Sequence, residues 1–223
     1  GINALNAASF AIQAMNSNRE IFRSEDTVRV HGIMTQGGEA VNAVPSDVRL
    51  EWRVRSGSPQ AVVKNSKIVD RCFKAGALAV GADVRITNIP GYLPMRHDSQ
   101  LQELFRRNAA ELIGESRILV MAPRRNRGGS TDMGDLSQIL AACHPYVAGA
   151  VGTGHNKDYV VDDYESAVIN PAKIMAMVVI DLLASGADAG KEVTSSHRPA
   201  MTKEAYMKFQ RDRAEVIEYS GAA

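Results

Sequence analysis

His155 stands in the turn Gly152-Thr153-Gly154-His155-Asn156, with Asp158, Asp162 and Asp163 close behind it. A histidine held by glycines at a strand end can offer a ring nitrogen to a metal or a substrate, and nearby carboxylates can orient it through its other nitrogen. The same residues also fit a turn histidine bonded only to backbone. A second cluster, Gly128-Gly129-Ser130-Thr131-Asp132, follows Arg124, Arg125 and Arg127 and has the N–H groups and positive charge to hold an anion. It lacks the lysine of a phosphate-binding P-loop, and an ordinary loop with Asp132 or Asp135 capping the next helix fits equally. Gly37-Gly38, then Asn42 and Pro45, read locally as a hairpin loop with asparagine in a turn. Arg55 ends the polar face of a strand, where a guanidinium takes a carboxylate bidentately or stays in solvent. His31 shares the parity of Arg29 and Thr35, away from Val28 and Val30, and reaches either a ligand or water. His144, before Pro145, reads as part of a packed loop, His97 as a linker residue and His197 as part of a polar tail.

These residues depend on the elements that carry them. Ile2, Leu5, Ala8, Ile12 and Met15 follow helical spacing. Residues 27–36 read as a strand stopped by the glycine pair. In 46–55, Val48, Leu50, Trp52 and Val54 alternate with Arg49, Glu51, Arg53 and Arg55, so one face is buried. Ser58-Pro59 caps a helix with Val62, Val69, Cys72 and Phe73 inward, expected to end near Gly76. Residues 83–89 form a third strand. Helix, strand, strand, helix, strand is the order of a split βαβ (ferredoxin-like) unit without its opening strand. Residues 90–97 read as a linker, after which Asp98 caps a helix. The pattern then predicts a short buried strand at 117–122, a small-residue strand at 146–151 before the His155 turn, a long apolar and therefore central helix from Asn170-Pro171 to Ser185, and a polar linker. A last amphipathic helix is expected over 202–219. Alternating strand and helix in this second stretch suggests the edge of an α/β layer.

Composition removes several classes. The chain has 223 residues, 45% of them hydrophobic, enough for one large domain or two small ones. Lys+Arg 26 against Asp+Glu 25 gives a charge of +1, so no global basic excess points to nucleic acid or a membrane surface. Cys72 and Cys143 lie far apart with no CxxC, which indicates neither a disulfide framework nor a cysteine zinc site and fits a reducing, cytoplasmic setting. The most apolar stretch, 174–184, contains Asp181 and is too short to span a bilayer. No basic or continuous apolar leader precedes the first helix, so Gly1 does not open a signal peptide. A chain that starts almost directly in a helix fits a processed product or a piece of something longer.

In order, Gly1-Ile2-Asn3-Ala4-Leu5, the Gly37-Gly38…Asn42…Pro45 loop with Arg55 at a strand end, Gly129-Ser130-Thr131-Asp132, and Gly154-His155 before Tyr159-Val160 and a long apolar helix resemble the M20 metallopeptidases and amidohydrolases. The nearest look is to the aminoacylase-like branch that includes aminobenzoyl-glutamate hydrolases. The resemblance runs from Gly1 to about Ser185. It implies an α/β protein with an α+β lid: a ferredoxin-like lid and dimerisation domain over residues 1–92, the C-terminal part of a zinc-peptidase-like catalytic domain over 93–186, and a linker and helix over 187–223. It implies that His155 is a metal ligand, that Asn42 reaches substrate near the scissile bond, that Arg55 binds the substrate's terminal carboxylate, and that Gly128, Gly129 and Ser130 line that pocket. It further implies two divalent ions, zinc or manganese, in a complete site, a small amide or dipeptide substrate such as an N-acyl amino acid, and a homodimer through the lid.

The family's remaining metal ligands and its glutamate base lie ahead of the lid, and this sequence has no counterpart to them. A catalytic zinc needs about three protein ligands, so this chain alone is expected to be inactive. The alternative expectation is a non-catalytic dimerisation or binding module of the same descent. Without further strands, the part after Pro94 is expected to expose apolar surface.

Overall fold

The computed structural model describes residues 1–121 and 130–222. It is a mixed α and β protein with small antiparallel sheets. Contacts divide it into two units: the first gathers Gly1–Pro94, residues 130–132 and residues 203–222; the second gathers residues 95–121 and Met133–Thr202.

In the first unit, α1 (Ala4–Ser17) is capped by Asn3, whose side chain accepts from the N–H groups of Leu5 and Asn6. β1 (Arg29–Gln36) and β2 (Arg49–Arg55) pair antiparallel, with Arg29 opposite Arg55 and Gly32 opposite Trp52. Only glycine fits at 32, because a Cβ there would strike the Trp52 ring. Trp52 in turn meets Phe73 edge-on, with ring centroids 6.1 Å apart. The expected parity holds: Val30 is buried and His31 exposed. α2 (Pro59–Val80) begins at the Ser58 cap with proline in its first turn. Met15, Val30, Val69 and Cys72 form the core of this unit, with Trp52, Val54 and Phe73 packed against it.

Two expectations about this unit change. α2 does not end near Gly76; it runs one turn further and stops at Gly81, whose φ of +69° suits a left-handed helix end. Gly76 is instead a contact glycine, since a Cβ there would collide with the backbone of Ala7 and Ala11 in α1. The tail is also not one helix: α6 (Lys203–Asp212) is followed by the strand β6 (Glu215–Ser220). β6 pairs antiparallel with β3 (Asp83–Asn88), placing Ile217 opposite Ile86 and Tyr219 opposite Val84. The alternation of Val216, Glu218 and Ser220 with Ile217 and Tyr219 fits a strand, and the helical pattern of α6 masks the change of period.

In the second unit, α3 (Ser99–Ile113) starts at Asp98, whose Oδ1 accepts from Gln100 N–H at 3.0 Å and Leu101 N–H at 3.1 Å. α4 (Asp132–Leu136) is a single short helix. β4 (Ala150–Val151) and β5 (Val160–Val161) make a minimal hairpin, much shorter than the strand expected over 146–151. A π-helical turn over Glu165–Ile169 leads into α5 (Asn170–Ser196), in which Ala184, Ser185, Gly186 and Ala187 leave helical geometry. α5 packs on α3. Asp181 is satisfied there: its Oδ2 accepts from Asn108 Nδ2 at 2.8 Å and Arg107 at 3.0 Å, and these bonds hold its carboxyl below the usual range.

The opposite side of α5 is bare, so the helix is not central. Met175, Val179, Ile180 and Leu183 are all exposed, and Leu183 is 67% accessible. The segment expected as a buried strand at 117–122 is also open where described: Leu119 is 80% and Val120 70% accessible, and neither lies in a strand. Both observations match the expected apolar exposure after Pro94. The expectation that this apolar stretch is too short to span a bilayer also changes: by length and composition alone Glu165–Ser196 is long and apolar enough, although its helical geometry breaks at Ala184–Ala187.

Candidate functional site

Asn42 sits in the turn between β1 and β2, exposed, on the wall of an open concavity of about 640 Å³. Asn3, Gly37, Gly38 and Pro45 share that wall. Ala4 N–H donates to the Pro45 carbonyl at 2.9 Å, which ties the loop to the start of α1. At the loop's far end Asp47 holds Arg49 at 2.7 Å, an exposed pair that does little for stability but marks the entry to β2. The glycine pair earns its place through Gly38, whose φ is +133°.

Arg55 closes β2, half-buried, on the strand face that also carries Glu51 and Arg53. Because directly opposed residues of an antiparallel pair share a face, Arg29 stands beside Arg55 and His31 beside Arg53. Like charges across a ladder cost stability, and they make this end of the face cationic. A carboxylate would relieve that repulsion. Ser130 is half-buried just ahead of α4 and belongs to the same unit, whereas Gly128 and Gly129 lie outside the described residues.

His155 lies in the second unit, at the tip of the loop between β4 and β5, exposed and at a φ of +66°. The turn is braced by Asn156 N–H to Thr153 O at 3.0 Å and Tyr159 N–H to Asn156 O at 3.1 Å. Of the nearby acids, Asp163 is engaged: its Oδ1 accepts from Ser166 N–H at 3.1 Å, and the bonds to Ser166 lower its carboxyl from the ordinary value. It starts the π-helical turn and does not orient the imidazole. Among the described residues no three His, Cys, Asp or Glu side chains come together as metal ligands. A divalent ion therefore does not fit the described donors of this chain by themselves.

A different pair was invisible in the sequence. His197 Nδ1 lies 3.1 Å from Asp98 Oδ2, with both side chains nearly buried. Cys143 and His97 lie in the same region: burial raises the Cys143 thiol, with Asp98 adding to it, and burial and His144 lower the His97 imidazolium. His144 N–H donates to His97 Nδ1 at 3.4 Å. No spacing rule links positions 98 and 197.

Compared with known proteins, the chain is 30% identical to the human Xaa-Arg dipeptidase over 195 residues, covering 82% of this chain and 43% of the relative. The mouse Xaa-Arg dipeptidase gives 30% over 189 residues with the same shares. The chain is similar to Xaa-Arg dipeptidases. This likeness supports the M20 peptidase family. The chain spans less than half the length of the dipeptidases it matches. No family model matches it.

Proposed function

We propose that this chain is the C-terminal portion of a metal-dependent amide or dipeptide hydrolase of the M20 type, supplying substrate-binding groups and one metal ligand. The observation that carries the reading is the dipeptidase homology over 82% of the chain. The cationic end of the β1–β2 face supports Arg55 as the holder of a substrate carboxylate, and the concavity beside Asn42 supports that residue as a substrate contact. Ser130, with Gly128 and Gly129, completes the carboxylate pocket in this reading, and His155 contributes one nitrogen to a zinc or manganese pair whose other ligands come from outside this sequence. In the complete enzyme such ions polarise the amide carbonyl and acidify water. Residues 1–92 act as a lid that pairs two copies, and the substrates are small peptides, C-terminal arginine included, or N-acyl amino acids.

The test has two arms on the pure chain. Added Zn²⁺ or Mn²⁺ should give no turnover of a dipeptide ending in arginine or of an N-acyl amino acid; metal-dependent hydrolysis would overturn the assignment of missing ligands. The same dipeptide should bind measurably by titration calorimetry. Arg55→Ala should weaken it about tenfold, the value of one lost charge-assisted contact, and Asn42→Ala should weaken it less. Unchanged affinity in both variants would remove the substrate-binding assignment and leave a non-catalytic module of the same descent.

A further inference from the structure

The outer face of the β1–β2 ladder carries a block of basic side chains in two adjacent rows, Arg29 opposite Arg55 and His31 opposite Arg53. The other face is occupied by the core, where Val30, Trp52 and Val54 meet Met15, Val69 and Cys72. The block therefore projects from a backbone that is held from behind. Directly opposed residues lie about 4.5–5.5 Å apart at Cβ, and successive residues of one face roughly 6.5 Å apart along a strand. Long guanidinium side chains from both rows can reach one small ligand.

Elsewhere the chain matches its arginines with its own acids: Arg49 holds Asp47 at 2.7 Å, and Arg106 holds Glu103 and Glu115 at 2.7 Å. Arg29, His31 and Arg53 are treated differently. All three are exposed, and among the described residues their side chains have no hydrogen bond or ion pair. Glu51 shares the face one row further on, opposite Ile33, and makes no ion pair with Arg53. Opposed like charges destabilise a ladder, so the block favours a ligand that brings negative charge. A single carboxylate taken by Arg55 in a bidentate fork would leave Arg29 and Arg53 unanswered.

We infer that Arg29 and Arg53, with His31 as an added donor, form a second anion subsite beside Arg55, selecting substrates whose C-terminal residue is itself acidic, aspartate or glutamate. This rests on Arg55 holding the substrate's terminal carboxylate, as proposed above, and it narrows the substrate range proposed there. The terminal carboxylate takes Arg55, and the side-chain carboxylate falls within reach of Arg53 and Arg29. A C-terminal alanine leaves those two guanidiniums without a partner. A C-terminal arginine brings a further cation against them, and the repulsion selects against it.

Titration calorimetry on the full chain compares alanyl-glutamate, glutamyl-alanine, alanyl-alanine and alanyl-arginine. Alanyl-glutamate should bind about tenfold more tightly than alanyl-alanine, the value of one added charge-assisted contact, and alanyl-arginine should bind most weakly. Glutamyl-alanine has the same net charge as alanyl-glutamate and should lack its advantage, which separates a placed carboxylate from general attraction to a basic surface. Arg29→Gln and Arg53→Gln should each cut the ratio of alanyl-glutamate to alanyl-alanine affinity several-fold. Arg53→Lys, which keeps the charge without the fork, should retain part of it. Each substituted position is exposed and each glutamine relieves a like-charge pair, so Trp52 emission should stay native. Equal affinity for alanyl-glutamate and alanyl-alanine, or for alanyl-glutamate and glutamyl-alanine, would overturn the acidic subsite, as would a ratio that neither glutamine variant moves. In those cases a loss of all dipeptide binding in Arg55→Ala would still uphold the terminal-carboxylate role of Arg55. If Arg55→Ala weakened none of the dipeptides, that role would fall and the subsite with it.

Discussion

Asp98 and His197, ninety-nine positions apart, meet at 3.1 Å between Oδ2 and Nδ1. The Asp98 carboxylate does two things at once: Oδ1 caps α3 and Oδ2 holds the imidazole that ends α5. The two ends of the second unit's helix pair are pinned at one point. His197 Nε2 is buried with no hydrogen-bond partner among the described residues, so the ring is held through one nitrogen.

Removing the shared acid should cost more than removing the histidine. Asp98→Ala loses a helix cap, about 1 kcal/mol, as well as a nearly buried bond of roughly 1–3 kcal/mol. His197→Ala loses only the second. Urea unfolding of both single variants and the double should show the double close to Asp98→Ala alone. Equal costs for the two single variants would contradict the double role.

Asp70 sets a pH dependence. Burial raises its carboxyl above 3.8, the Asn88 bond opposes this, Glu215 adds to it and Lys74 opposes it. The folded chain thus holds this proton more tightly than the unfolded chain, so the group favours folding below the unfolded value and disfavours it as pH climbs through the raised one. Asp70→Asn should therefore melt higher than the parent at pH 7 and together with it near pH 3, in paired thermal scans. A gap of the same size at both values would count against this account.

Gly76 separates propensity from packing. In an exposed helix, glycine to alanine gains about 1 kcal/mol. At position 76 the new methyl would run into the Ala7 and Ala11 backbone of α1, and such overpacking costs about 1–3 kcal/mol. Gly76→Ala should destabilise, with the loss visible as a lower denaturation midpoint. A stabilised variant would show that α1 and α2 separate easily.

The two sides of α5 should respond oppositely. Ile174 is 3% accessible against α3, and Ile174→Ala should cost about 2–5 kcal/mol. Val179→Ser and Leu183→Gln lie on the bare side and should change stability by less than about 0.5 kcal/mol. They should also reduce binding of an apolar fluorescent dye, which the parent should show. Absence of dye binding by the parent would mean that this face is covered in solution.

What the sequence determined by itself was local. Ser58-Pro59 and Asp98 announce helix starts because a cap needs only its own next three residues. The alternation around Trp52 announces β2, and the parity of His31 and Arg55 follows from the pleat. Motif order, an equally linear property, pointed to the peptidase family that the dipeptidase homology supports. Tertiary structure decided whatever depends on partners distant in the chain. Gly76 reads as a helix stop until α1 lies against it. Residues 215–220 read as more helix until β3 offers an edge. His197 reads as tail until Asp98 stands beside it. The bare faces of α5 and of Leu119 and Val120 were composed like core, because composition records what a segment is suited to bury, and only the assembled neighbours decide whether it is covered.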